Sequence, residues 1–159
     1  MSKTTWSLET AIRVGDEVKK LLEPYCSRIA VAGSVRRQRP KVHDVDIVLI
    51  PGDPWALMAI LRQYGAKGGD KIQKLSWKVM PVDIYFADER SWATLLLIRT
   101  GSMEHNIMMC SKAKEIGYQL KANGSGLLNR DGQRIAGESE ESIFAALGMR
   151  YKEPKAREL

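Results

Sequence analysis

Apolar residues recur at helical spacing over residues 7–22, where Leu8, Ala11, Ile12, Val18, Leu21 and Leu22 trace one face. Ser7 is placed to cap this helix and Pro24 to close it. The period then shortens. Residues 28–35 read as a strand ending in a Gly-Ser turn, 36–43 as a polar, basic loop, and 44–50 as a second apolar strand. Pro51-Gly52-Asp53-Pro54 stops the chain and restarts it, with Asp53 as cap and Pro54 in the first helical turn. The helix that follows runs to about Tyr64, with Trp55, Leu57, Met58 and Leu61 expected to face inward. Two further strands are predicted over 71–78 and 79–87; in the first, Ile72, Leu75 and Trp77 are its apolar positions.

Beyond the Asp88-Glu89-Arg90 turn the pattern becomes helical again. An apolar helix from Ser91 ends before Thr100-Gly101-Ser102, and a second helix runs from Ser102 to Ile116 with Gly117 as its stop. Residues 118–122 and 127–135 read as short strands, the latter bent at Asp131-Gly132, and 140–147 as a last short helix. The expected class is α+β: a mixed sheet flanked by helices over 1–88, then a small helix-and-hairpin lobe over 89–159.

The net charge of +6 and a pI near 9.4 point to a polyanionic partner, most simply nucleic acid. Cys26 and Cys110 lack metal-ligand spacing and read as free thiols of a reducing compartment. No signal segment or apolar run of membrane-spanning length is found, so a cytoplasmic, nuclear or viral location and a monomer off the membrane are expected.

The chemistry concentrates in Val31-Ala32-Gly33-Ser34-Val35-Arg36-Arg37 and Asp44-Val45-Asp46. Residues i and i+2 of a strand share a face, so Asp44 and Asp46 stand side by side while Val45, Ile47 and Leu49 point into the protein. Two adjacent carboxylates repel unless a counter-charge is supplied, and Mg²⁺ held by carboxylates and substrate phosphates supplies one. Gly33 permits close backbone approach, Ser34 can donate to a phosphate oxygen, and Arg37 offers bidentate donors. Asp83, between Val82 and Ile84, either faces solvent or joins the pair if its strand lies beside theirs. His105 is expected to be a surface histidine without function rather than a phosphate contact, and Trp77 and Trp92 to pack in the core rather than stack on bases.

These motifs, with Val82-Asp83-Ile84, Thr100-Gly101-Ser102, Asn106 and the run Leu147-Gly148-Met149-Arg150-Tyr151-Lys152-Glu153-Pro154, resemble the family X DNA polymerases of the polymerase beta type. The resemblance implies a catalytic palm followed by a thumb or nucleotide-selecting subdomain. It implies that Asp44, Asp46 and Asp83 are catalytic and hold two Mg²⁺ ions, with Mn²⁺ able to substitute. Gly33, Ser34, Arg37, Thr100, Gly101, Ser102 and Asn106 would bind the incoming deoxynucleoside triphosphate, the Gly101-Ser102 bond often being cis in the family. Arg36, Arg39, Lys41, Lys112, Lys114 and Lys152 would bind DNA. The expected function is template-directed extension of a primer 3′-hydroxyl on gapped or primed DNA, in short-gap repair.

The sequence also departs from the family. Ile98-Arg99 stands where an aromatic pair crowds the sugar 2′ position, and Cys110 where an arginine meets the template base. His43 precedes the first aspartate where small residues are common, and Tyr85 stands where a basic residue is often seen. A stripped palm-and-thumb form, without the family's amino-terminal lyase and helix-hairpin-helix regions, is expected from these 159 residues. Two alternatives therefore stay open: a nucleotidyltransferase that works without a template or on RNA ends or small molecules, and a non-catalytic antitoxin of the same fold.

Overall fold

The computed structural model describes residues 3–159. A two-residue strand β1 (Trp6–Ser7) leads into helix α1 (Leu8–Leu22), capped by the Ser7 hydroxyl, which accepts from Thr10 N. Strand β2 (Cys26–Ala32) ends at a single helical turn, α2 (Gly33–Arg36). This corrects the expected strand over 28–35: the strand stops at Ala32, because Gly33 turns the backbone to φ +62°. The following loop carries a short strand, β3 (Lys41–Val42), paired with β1.

Strand β4 (Val45–Pro51) is followed by helix α3 (Pro54–Gln63) and strands β5 (Lys67–Gly68), β6 (Ile72–Trp77) and β7 (Met80–Phe86). The five-stranded sheet runs β2-β4-β7-β6-β5, with β4 and β7 parallel and the other neighbours antiparallel. Val45, Ile47 and Leu49 of β4 and Val82 and Ile84 of β7 bury one sheet face against Val14, Val18 and Leu22 of α1 and Leu57 and Leu61 of α3. Trp55 does not join them and is 89% exposed. It sits two residues, about 200° of helix rotation, from Leu57, which places it on the far side of the α3 core stripe. In β6 the buried positions are Gln73 and Leu75, opposite Ile84 and Val82, so Ile72 faces outward; the Gln73 amide donates to Gly69 O.

Helix α4 (Trp92–Thr100) is buried nearly all round. Its Trp92, Leu95 and Leu96 cover Val48 and Ile50 on the second sheet face, and its Leu97 and Ile98 enter a separate core with Met109, Leu127, Ile143 and Phe144. Around that core lie helix α5 (Met103–Glu115), the antiparallel strands β8 (Gln119–Lys121), β9 (Gly126–Leu128) and β10 (Arg134–Ala136), and helix α6 (Glu140–Ala146). The α+β class is as expected. Among the described residues no helix is long and apolar enough to cross a membrane.

Candidate functional site

Pairing of β4 with β7 sets Asp46 directly opposite Asp83 in the parallel register. Their apolar neighbours face the α1–α3 core, so period-two alternation turns both carboxylates to the α4 side of the sheet. Asp44 lies two residues before Asp46, just outside β4. Among the described residues none of the three makes an ion pair. Burial, and then the charges of Asp44 and Asp83, push the Asp46 carboxyl up to about 7, against the pull of Arg99 and Arg37. Asp44 is raised by burial and by Asp83, with Lys3, His43 and Lys74 opposing.

The three acids do not close into a compact group of metal ligands among the described residues. Asp46 borders a hollow of about 810 Å³ with Gly33, Arg37, Arg99 and Asn106, whereas Asp44 and Asp83 border a second one of about 560 Å³ with His43 and Lys74. The carboxylates thus line two hollows, and none of them is in an ion pair among the described residues. Hard oxygen donors in that electrostatic state suit a divalent cation such as Mg²⁺.

Gly33 follows Ala32, the register partner of Asp46. A Cβ built there would collide with the Asp46 Oδ2, so both the positive φ and the close approach demand glycine. Ser34 is half-buried on the same turn. The two arginines that follow part company. Arg37 faces the hollow: its Nη1 donates to Thr100 O at 2.8 Å and its Nε to Glu158 Oε2 at 2.7 Å. Arg36 points the other way and donates to both Glu140 oxygens, at 2.8 and 2.7 Å, and to Thr100 Oγ1 at 2.8 Å. The expected DNA contact by Arg36 is therefore corrected: its guanidinium is taken up between α2, α4 and α6.

At the Thr100-Gly101-Ser102 turn the Gly101–Ser102 bond is trans, since the described residues contain no cis peptide. Thr100 is wholly buried, and its two oxygens serve Arg36 and Arg37. A Cβ on Gly101 would lie 2.7 Å from Asn106 Oδ1. Ser102 caps α5 by accepting from His105 N, and its hydroxyl donates to Glu158 O at 2.5 Å. Asn106 donates to Ile98 O at 2.8 Å, leaving its buried Oδ1 without a partner at the edge of the larger hollow. His105 is corrected from surface to core: it is 0% exposed, lies 6.1 Å from the Phe144 ring between centroids, and neither ring nitrogen has a partner.

Arg39, Lys41, Lys112 and Lys114 are exposed, and Arg39 and Lys114 border the larger hollow; Lys152 is half-buried and donates to the Leu159 backbone oxygen. Several residues of consequence carried no signal in the pattern. Arg99 stacks on the Tyr85 ring at 4.2 Å, beside Asp46. Glu140 also accepts from Arg157 Nη1 at 2.6 Å, and Arg157 is completely buried near Phe144 and Tyr151. Glu158 reaches Arg37. A lone glutamate after a helix cap, or near the last residues read, is indistinguishable from a solvated charge until its long-range partner is known.

A mixed sheet bearing acids on paired strands, a glycine turn pressed against one of them, and a helical second lobe define a polymerase-beta-like architecture. Comparison with known proteins agrees. Residues 95–158 match the DNA polymerase beta thumb family. Over 158 residues, 93% of its length, the chain is 28% identical to the DNA polymerase/3'-5' exonuclease PolX of Bacillus subtilis (strain 168), and it spans 28% of that relative. It superposes on crystal structures of Leishmania infantum polymerase beta. With the ternary P/T complex the TM-score is 0.80 at 20% identity, covering 98% of this chain and 77% of the other. With the ternary gap complex it is 0.83 at 20% identity, covering 98% and 71%. Residues 95–158 thus match the DNA polymerase beta thumb family, and the chain is similar to a family X polymerase in sequence and to polymerase beta in fold.

Proposed function

We propose that this chain is a template-directed DNA polymerase that adds deoxynucleotides to a primer 3′-hydroxyl in short gaps. Its palm is residues 1–88, of which 3–88 are described, and its nucleotide-selecting thumb is 89–159. The observation that carries this reading is the Asp46–Asp83 register pair: two carboxylates on one face, neither in an ion pair among the described residues, beside the Gly33 turn and the Arg37 guanidinium. PolX and polymerase beta are polymerases by name, and the two polymerase beta structures are a ternary P/T complex and a ternary gap complex, which supports primed or gapped DNA as the partner here.

Asp44, Asp46 and Asp83 would hold two Mg²⁺ ions, for which Mn²⁺ could stand in. Such ions lower the pKa of an attacking hydroxyl and neutralise charge on the leaving pyrophosphate. The chain's own residues do the positioning. Arg37, with Ser34, grips the triphosphate. Gly101, with no side chain to collide with Asn106, presents the turn formed with Thr100 and Ser102 to the sugar. The Asn106 amide, on the wall of the hollow, meets the edge of the incoming base. Arg39, Lys41, Lys112, Lys114 and Lys152 hold phosphates of the duplex.

The test is incubation with a gapped duplex, Mg²⁺ and each nucleotide singly. Incorporation that obeys the template base is expected. Untemplated addition would make the chain a nucleotidyltransferase of another kind, a reading favoured by the non-aromatic Ile98-Arg99 pair and the exposed Cys110 beside the hollow. No addition with any metal would point to a non-catalytic partner protein.

A further inference from the structure

The phosphate cradle already holds an anion supplied by the chain itself. Glu158 Oε2 accepts from Arg37 Nε at 2.7 Å, and its Oε1 lies 3.9 Å from Arg39 Nη1, so one carboxylate lies across both guanidiniums of the larger hollow. A carboxylate and a phosphate oxygen compete for the same guanidinium donors. Meanwhile the backbone around Glu158 is tied down. Ser102 N donates to Arg157 O at 3.0 Å, the Ser102 hydroxyl to Glu158 O at 2.5 Å, and Lys152 to Leu159 O at 2.7 Å. Arg157, one residue before, is fully buried on Glu140. The Glu158 side chain itself is 37% exposed, so its carboxylate can swing into solvent by side-chain rotation while the segment stays docked.

We infer that Glu158 is a built-in competitor for the nucleotide's phosphates, lowering the affinity of every phosphate ligand that must displace it from Arg37. The inference rests on the proposed role of Arg37 in gripping the triphosphate. A triphosphate brings enough charge and oxygens to take Arg37 and Arg39 together. A monophosphate must evict the same carboxylate to reach Arg37. Glu158 thereby acts as an affinity-setting residue that weakens each such ligand by the same factor.

The experiment is calorimetric titration of the full chain and of Glu158→Gln with inorganic tripolyphosphate, a deoxynucleoside triphosphate and the matching monophosphate. Glutamine keeps the size and the backbone bonds but removes the charge. If Glu158 occupies Arg37 nine-tenths of the time, the variant binds tripolyphosphate and nucleotide about tenfold more tightly. Its monophosphate affinity rises by the same factor, and an unchanged melting temperature shows that the fold is intact. Equal affinities in both proteins would overturn the inference while leaving the cradle standing. Weaker binding by the variant would overturn it too, by making Glu158 a support that positions Arg37. Binding by neither protein would remove the cradle, and with it the proposed role of Arg37.

Discussion

Arg36 and Glu140, 104 residues apart, form a bidentate pair at 2.8 and 2.7 Å that ties α2 to α6. The same carboxylate accepts from Arg157, whose side chain is inaccessible to solvent. Burial alone would raise the Glu140 carboxyl, but the Arg36 hydrogen bond and the Arg157 charge outweigh it and hold it below the usual range. Removing one member of a buried ion network strands the other charges. Glu140→Ala should therefore cost about 3–5 kcal/mol, read as a lower denaturant midpoint at unchanged slope. A loss below about 1 kcal/mol would mean that water enters and replaces the carboxylate.

Replacing Asp46 should separate activity from stability. Asp46→Asn removes one of three repelling carboxylates, so the metal-free protein should melt no lower than wild type. Incorporation on gapped DNA should fall by about 10²–10³-fold or more. Retained extension would refute the metal assignment.

Gly33→Ala should damage both. The left-handed backbone alone costs an alanine about 1–2 kcal/mol, and the added Cβ would drive the Asp46 carboxylate from its place. The expected result is a lower melting temperature together with weaker Mg²⁺-dependent nucleotide binding. A variant with wild-type nucleotide binding would show that the Asp46 position is not set by this contact.

His105 gives the second lobe an acid sensitivity. Burial, and then the charges of Lys152, Arg157 and Arg37, lower its pKa from 6.5 to about 4, so the folded protein keeps the ring neutral. The unfolded chain binds the proton first as pH falls. The stability contributed by the neutral ring is thus complete above about pH 6.5 and is lost progressively between about 6.5 and 4. Glu140 works in the same direction below the ordinary glutamate pKa, so a difference measurement is needed. The stability gap between wild type and His105→Leu should shift in favour of the variant across that window, because leucine has no proton to take up. Parallel pH curves would place the His105 ring in contact with water.

DNA affinity should fall steeply with salt, the slope counting the phosphates neutralised. Arg39→Ala and Lys114→Ala should each reduce the slope by about one. Arg36→Ala should instead act through stability, because its guanidinium is spent on Glu140 and Thr100. A slope lowered by Arg36→Ala in a protein of normal stability would restore it as a DNA contact.

Much of this was legible in the residues. The helix at 8–22 with its Ser7 cap, the strand carrying Asp46, the Ser102 cap and the Gly117 stop all follow from local periodicity and capping chemistry. Trp55 was misplaced because an apolar residue in a first helical turn was counted with a stripe that starts two residues later. His105 was misplaced because a polar ring gives no hint that Phe144 and Arg157 will close over it.

Taken alone, the sequence determined where the longer helices and strands lie and that one apolar strand carries Asp46, since both are matters of spacing within a few residues. Tertiary structure decided that β4 lies parallel to β7 with Asp46 opposite Asp83, that Arg36 turns inward while Arg37 faces the hollow, and that Glu158 returns across 121 residues to occupy it. Those outcomes depend on which distant surfaces bury one another, and side-chain periodicity carries no record of partners beyond its own turn or strand.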